Sequence, residues 1–567
     1  HNGGSVSLEG TTSFGGTSTT NFNNLQLLAT NTLLLPGEVN IAGNLTFFAG
    51  SIVSHNSGTI RFNGAGAQDI DVQGTQLGNI EVTKGGGAVT LLSSLPLAHV
   101  LSITTATVFN SNGHLTVLSQ PLGPGSSTDN DASIASLAGG GSVNGNVIVQ
   151  RFMIAKGTGN RYISTAVAGV GFSQFTDDMN IGSGYIRYYR EQSPGNFANG
   201  YLNVTSADVP LVAGRGYLVN IDNNVNVQWD VNGQIHAGTV NFPVFFTPSA
   251  AGPSHDGWNL VGNPFPSPIV WDNGSGWSRS NVDPIITVYD INGSALYTHN
   301  YINGSGSLPN GVIATGQSFW VHLSAAGSMS VNEPAKVNGA GGSFFRKGGK
   351  VVPQMEISLS DGSFTDQAIL VQDDNATNEF DALYDGYKLM GERMNIYFAA
   401  HDRHLNMNTV RYLDPETRIP LEIQVADAGE FTLSVSGLDK FPEIASWYFV
   451  DQEEGVSIPL ADLRSYKIMV SNPSRPLTDR FYLSSSPESG VAAIGYLVAY
   501  PNPSRDFVTM ESADAILDVK LRNASGTLVS GVEVRDNVID MRALQNGIYL
   551  LSARTTRGLI VKKLIKH

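Results

Sequence analysis

Between residues 1 and 120, short runs of alternating apolar and polar residues recur, separated by Gly and Asn. Such period-2 alternation marks a strand with one buried face. Phe22-Asn23-Asn24-Leu25-Gln26-Leu27 matches Leu77-Gly78-Asn79-Ile80-Glu81-Val82, and Asn44-Leu45-Thr46 matches Val100-Leu101-Ser102. Gly58-Thr59-Ile60-Arg61-Phe62 matches Gly113-His114-Leu115-Thr116-Val117, and Ser5 to Gly10 stands in the same relation to Thr59 to Gly64. The step is about 55 residues, an internal repeat of the chain. Coils that cannot bury their apolar rows alone predict a parallel β-solenoid over residues 1–120, with Leu25, Leu45, Ile80 and Leu101 pointing inward. A repeated antiparallel sandwich is the alternative. The pattern is already under way at His1, so further coils are expected before it.

The texture then changes. Residues 121–145 are rich in Gly, Ser, Asp and Asn and read as a linker. Residues 146–335 read as a β-sandwich region, with Trp258, Phe265, Trp271, Phe319 and Trp320 as core and corner anchors and Asn263-Pro264 as a turn. This region resembles non-catalytic sandwich regions of large Bacteroidetes surface proteins. A Gly-rich linker follows at 336–350, then a β-sandwich domain at 351–485. In that domain Ile419 to Ile423 and Phe431 to Val435 are expected to form a hairpin. Residues 486–494 form the last linker.

In residues 495–567, Leu517, Val519 and Leu521 alternate with Asp518, Lys520 and Arg522, and Asn523-Ala524-Ser525-Gly526 forms a turn. Thr527 to Val534 reads as the returning strand, and Asn546-Gly547 leads into the apolar strand Ile548 to Ala553. Pro501 and Pro503 bracket Asn502 and stiffen the opening bend. About seven short strands predict a compact sandwich. The opening Tyr500-Pro501-Asn502-Pro503-Ser504, the Gly547-Ile548-Tyr549 strand and the basic finish Val561-Lys562-Lys563-Leu564-Ile565-Lys566 occur together and in order. In this the stretch resembles the type A C-terminal sorting domain of type IX secretion system cargo proteins of Bacteroidetes. The resemblance implies an Ig-like β-sandwich that serves as the outer-membrane translocation and attachment signal. It also implies the type IX outer-membrane translocon, a barrel shuttle protein and a surface signal peptidase with its attachment machinery as partners. Pro501, Asn502, Pro503, Gly526, Gly547, Tyr549, Lys562, Lys563 and Lys566 are its candidate recognition residues. The expected location is the cell surface or extracellular space, reached through a periplasmic intermediate.

Composition narrows the function classes. The fold class is all-β and multidomain: solenoid coils, β-sandwich domains and the C-terminal sandwich. Hydrophobic residues make up 41% of the chain and charged ones only 14%, so much of the polar surface is Ser, Thr, Asn and Gly. A net charge of −15 argues against general nucleic-acid binding, because no overall basic field attracts phosphates. Without cysteine there is no disulfide, thiolate nucleophile or Cys-bound zinc. No uninterrupted apolar run is long enough for a membrane-spanning helix.

Catalytic motifs are sought without result. There is no Gly-x-Ser-x-Gly, His-Glu-x-x-His or Walker loop. His401 and His404, beside Asp402, read as a surface loop. Asp373, Asp374, Asp381 and Asp385 in one acidic stretch read first as turn and cap carboxylates, then as a calcium loop, and last as a glycosidase pair. Tyr185, Tyr188, Tyr189 and Tyr201 suggest either a sugar-stacking face or an ordinary two-sided strand. The expectation is a structural or adhesin-like exported protein with no enzyme activity, cofactor, metal or catalytic residue, and with surface glycans as a further candidate partner. The alternative is a carbohydrate-binding or carbohydrate-degrading enzyme whose active part lies upstream of His1 or in 351–485.

Overall fold

A computed structural model describes the chain outside residues 1–2, 15–18, 36, 55–57, 122–128, 154–156, 193–199, 205–209, 224, 250–255, 273, 290–295, 338–351, 401–402, 414–417, 442, 488–496, 513–514, 524–525, 530 and 556–557. It is about 54% strand and 4% helix. No described helix is long and apolar enough to cross a membrane. The chain divides into two units: residues 1–350 with 382–389, and residues 351–381 with 390–567.

The first unit opens with a β-solenoid of about five turns. Its parallel strands stack on three faces. On the first face Ser5–Leu8, Asn24–Leu27, Leu45–Phe47, Gln68–Asp71, Val89–Leu91 and Val108–Asn110 pair in order. The third face stacks Thr20–Phe22, Glu38–Ile41, Thr59–Phe62, Asn79–Val82 and Val100–Ile103. The second face holds Thr11–Ser13, Thr32–Leu34 and Ile52–Ser54, and further along Leu95–Leu97 and Leu115–Val117. Leu25, Leu45, Ile80 and Leu101 are all buried, as expected for inward positions. Fully burying such a side chain contributes up to about 1.5–3 kcal/mol, enough in sum to stack coils that are unstable singly.

The coil period is much shorter than the expected repeat, since first-face strands begin at 5, 24, 45, 68, 89 and 108. The matched segments of the sequence are therefore not successive coils but lie between two and three coils apart. The match set Leu25 on the first face against Ile80 on the third, and Phe62 on the third against Val117 on the second. All three faces carry the same polar–apolar alternation, so a shift of one face leaves the local pattern unchanged.

Outward side chains also stack. Asn24 donates to Ser5 Oγ (3.3 Å), and its own Oδ1 accepts from the Asn44 amide (2.7 Å). Asn44 accepts from the Asp69 amide (2.9 Å), and Asn110 joins Thr90 to Asn144. On the third face Arg61 lies between Glu38 and Glu81, each at 2.8 Å. Coil contact is tight at Gly64, where a Cβ would sit 1.8 Å from the Ala42 carbonyl oxygen.

The solenoid does not stop at residue 120. Ser133–Ile134, Ser142–Asn144 and Val147–Met153 continue the third, first and second faces. Much of the expected 121–145 linker is thus coil. Val147–Met153 then pairs antiparallel with Val227–Ile235, so one strand ends the solenoid and begins the next sheet. A single apolar core accordingly runs from Leu8 to Val231.

Beyond it, the long strands Trp277–Tyr289 and Ser318–Val331 pair across two register shifts. A second core of Phe265, Trp271, Ile286, Phe319 and Val321 lies beneath them. A third cluster joins Trp258, Leu260 and Trp320 to Tyr162, Tyr189 and Tyr201, and to Tyr387 and Leu389 of segment 382–389. Glu333 ties this region to the coils. One oxygen accepts from the Leu137 amide (2.7 Å), the other from Gly238 (2.8 Å), and buried Lys336 pairs with it at 2.9 Å.

In the second unit one sheet runs through Val456–Pro459, Tyr448–Asp451, Leu477–Ser484, Arg418–Val425, Met394–Ala400, Arg403–Val410, Thr365–Gln372, Gln354–Ser360, Gly429–Ser436 and Tyr466–Val470. It rolls until its ends meet, where Tyr466 Oη donates to Asp451 (2.9 Å) and Arg480 grips the same carboxylate. Arg418–Val425 and Gly429–Ser436 do not pair with each other, against the expected hairpin. The first pairs with Met394–Ala400 and Leu477–Ser484, the second with Gln354–Ser360 and Tyr466–Val470. Alternation specifies strands and not partners, and the short connection between them turns a corner instead of closing a hairpin.

Candidate functional site

The stretch from Leu497 to Lys566 forms two small sheets around a core of Leu497, Val508, Met510, Leu521, Ile539, Leu551 and Leu564. One sheet orders Leu497–Tyr500, Phe507–Ser512, Val538–Asp540 and Val534–Arg535; the other orders Ile516–Asn523, Gly547–Thr555 and Gly558–Lys566. Thr527 to Val534 is not one returning strand. Leu528 bridges Arg522, and Val534–Arg535 belongs to the other sheet.

Register brings Gly547, Tyr549 and Lys566 to one end of the second sheet, with Lys562 and Lys563 farther along the last strand, opposite Leu551 and Leu550. Asn523 lies opposite Tyr549, Tyr549 opposite Leu564, and Gly547 opposite Lys566. Asn523 therefore sits beside the start of the Gly547 strand and the finish of the last one. Gly526 has φ 81°, in the left-handed region, and its amide donates to Asn523 O (2.9 Å).

The opening bend reaches the same end. Asn502 Nδ2 donates to Lys563 O (2.7 Å), while its Oδ1 accepts from the Ile565 amide (2.8 Å). The Ser504 amide donates to Ile565 O (2.9 Å), and Ser504 O accepts from the His567 amide (3.0 Å). Ser504 Oγ closes the bend onto Phe507 O (2.7 Å). Bend and terminal strand, at opposite ends of the domain's sequence, are thus hydrogen-bonded together.

Exposure separates the candidates. Pro501, Asn502, Pro503, Gly526, Gly547, Lys562 and Lys563 face solvent. Tyr549 and Lys566 are buried. The Tyr549 hydroxyl donates to Gln545 O (2.7 Å), and the Lys566 ammonium donates to His567 O (2.9 Å). Those two shape the end from inside. Desolvation lowers the Lys562 pKa even though its side chain reaches solvent. Around the exposed residues lie Tyr500, Ile548, Leu550 and Val561, each more than a third exposed. Asp540 is the last acid of the chain, so the surface is apolar with a basic rim. Arg557, a further basic residue of this stretch, lies outside the described residues. The cleft between Leu521, Leu528, Val529 and Ile539 holds about 140 Å³, below the roughly 300 Å³ of an ordinary small-molecule site.

The upstream candidates are dispersed. Asp373 is buried and accepts from the Asn375 amide and side chain (3.0 Å each), an Asx turn. Asp385 belongs to the segment that packs with the first unit. Among the described residues no group of three or more His, Asp or Glu is placed to hold a metal. His401 and Asp402 lie outside the described residues, as does the Tyr185 side chain. Arg215 stacks over Tyr188 at 4.9 Å, whereas Tyr189 and Tyr201 meet edge to face at 5.3 Å inside the third cluster. The tyrosines therefore lie on two sides of their sheet.

Two arrangements escaped the sequence reading. The Arg279 guanidinium is caged by Trp271 (3.8 Å), Tyr301 (4.2 Å) and Trp277 (5.0 Å), and burial pulls its pKa down to about 10. Buried His299 binds Asp272 through Nε2 (2.6 Å) and Leu308 O through Nδ1 (3.1 Å). An isolated Arg two residues after a Trp gives no sequence signal for such a cage. The Asn502 clamp left a faint one, an Asn held between two prolines.

Residues 126–484 match the family model described as Domain of unknown function (DUF8693), and residues 498–567 match the one described as Secretion system C-terminal sorting domain. No curated protein and no solved structure matches the chain.

Proposed function

This chain belongs to the family of Domain of unknown function (DUF8693), and on that premise we propose that its body is a non-enzymatic structural or adhesive module displayed at the cell surface. The C-terminal domain makes it a type IX secretion cargo, exported across the outer membrane to the cell surface or extracellular space. That domain engages the type IX machinery. The observation that carries the reading is the sorting domain, whose exposed candidate residues lie on the opening bend, the neighbouring turn and the last strand, on an apolar surface with a basic rim.

Two details extend the proposal. The precursor passes through the periplasm, where a barrel shuttle protein captures the folded domain. A surface peptidase then cuts within residues 484–493, a stretch rich in Ser, Pro and Gly. The body supports a structural role through its long coil stack, the core those coils share with the next sheet, and carboxylates engaged in turns and ion pairs. Surface glycans are its proposed ligands.

Deleting Val561 to His567 tests the export reading. The truncated precursor should accumulate in the periplasm with residues 1–485 folded, and normal surface delivery would overturn it. For the body, a glycan array and a hydrolase panel on residues 1–485 should give binding without turnover. Hydrolysis abolished by Asp381→Asn would replace the structural reading with the enzymatic one.

A further inference from the structure

We infer that the Asn502 carboxamide is a positioning residue that joins the opening bend and the terminal strand into one recognition unit, which a partner reads through side chains and not by adding a strand. This deepens the export reading above and rests on it.

Gly558–Lys566 pairs on one side with Gly547–Thr555. Lys563 O and the amide and carbonyl of Ile565 bond to Asn502 and Ser504 and not to that neighbour, so these backbone groups lie on the strand's other edge. An open edge is a template for an incoming strand. Here the template is already occupied. Asn502 takes Lys563 O and the Ile565 amide, and Ser504 takes Ile565 O and the His567 amide. A carboxamide supplies one donor and one acceptor side by side, as a strand residue does. Asn502 thus imitates the next strand without being one.

Two consequences follow for recognition. Strand addition along Lys563 to His567 is blocked, so a partner at this part of the edge contacts what projects from the joint: Pro501, Pro503, Lys563 and the neighbouring Ile548 and Tyr500. These groups are exposed and combine apolar surface with positive charge. The partner surface that fits is an apolar protein patch edged by carboxylates. The bend is fixed against the last strand only once those residues have folded, so an unfolded or truncated end does not present the joined unit.

Asn502→Asp separates positioning from bulk stability. It keeps the size and the acceptor for the Ile565 amide, but sets a carboxylate against Lys563 O where a donor stood. The full precursor is compared in the producing bacterium with wild type, with Asn502→Gln, and with Val508→Ala, a core change in the same domain that removes none of the bend's hydrogen bonds. The expected result is a folded Asn502→Asp precursor whose Ile565 and His567 amides exchange at least about tenfold faster, with a similar drop in surface delivery. Val508→Ala, at an equal or lower melting temperature, should be delivered normally. If Asn502→Asp does not fold, Asn502→Gln, which displaces the same amide by one methylene, decides in its place. Delivery of the Asn502 variant at the wild-type level would overturn the inference, and so would equal loss in Val508→Ala. If the precursor lacking Val561 to His567 is also delivered normally, the export reading itself fails, a result distinct from failure of the clamp alone.

Discussion

Burial lowers the pKa of His236, and its hydrogen bond with the Val167 backbone offsets that only in part; burial lowers His99 as well. Both rings therefore resist protonation more in the folded chain than in the unfolded one. The unfolded state binds the extra proton first, so stability is full above the ordinary histidine value of 6.5 and declines as pH falls from there through the folded values. Melting temperature should drop as pH falls below about 6.5, and His236→Gln should flatten that slope. An unchanged slope would place the sensitivity elsewhere. Arg279 makes a second residue-scale test. Its planar cation stacks on Trp271 and Tyr301, a contact that a lysine ammonium does not reproduce. Arg279→Lys should cost about 1–2 kcal/mol in chemical denaturation despite conserving charge. Neither group was legible in the sequence, because a histidine or an arginine acquires its environment from residues far along the chain.

At the scale of elements, the coils make the sharper predictions. Leu45 is fully buried, so Leu45→Asp puts an unpaired charge into the stack and should cost on the order of 3–5 kcal/mol. Gly64→Ala should also destabilise, because the added carbon meets the Ala42 carbonyl of the coil beneath. Loss of the solenoid's circular dichroism signal on melting, at lower temperature in each variant, checks both. Strands were largely readable here, since alternation of Leu and Val with polar residues depends only on the local chain. Their partners were not. The long repeat match confused one face with the next, and the expected hairpin of Ile419 to Val435 separated into opposite parts of one rolled sheet. In both cases the alternation was read correctly and the pairing was not, because pairing is set by what else competes for each strand edge.

At the scale of the whole molecule, segment 382–389 returns to the first unit, where Tyr387 and Leu389 pack against the Trp258 and Trp320 cluster. A chain ending at residue 350 should therefore melt lower than the same unit in the full chain, with a loss of about 2–5 kcal/mol and new binding of an apolar dye. An unaltered melting temperature would show that the segment adds nothing. Chelator should leave the melting of residues 351–485 unchanged; a fall restored by calcium would turn the acidic stretch around Asp373 into a site. The sequence by itself determined the all-β class, the buried rows of the solenoid and the identity of the sorting domain, because these rest on side-chain alternation and on short motifs that survive without context. It also specified Pro501, Asn502 and Pro503 as a bend. Only the tertiary structure decided the coil period, the core that the coils share with the next sheet, and the return of segment 382–389 to the first unit. It alone placed the bend on the terminal strand. The physical reason is the same throughout: burial pattern is written along the chain, whereas the choice of which edge, face or carbonyl a residue meets is a competition among groups far apart in sequence.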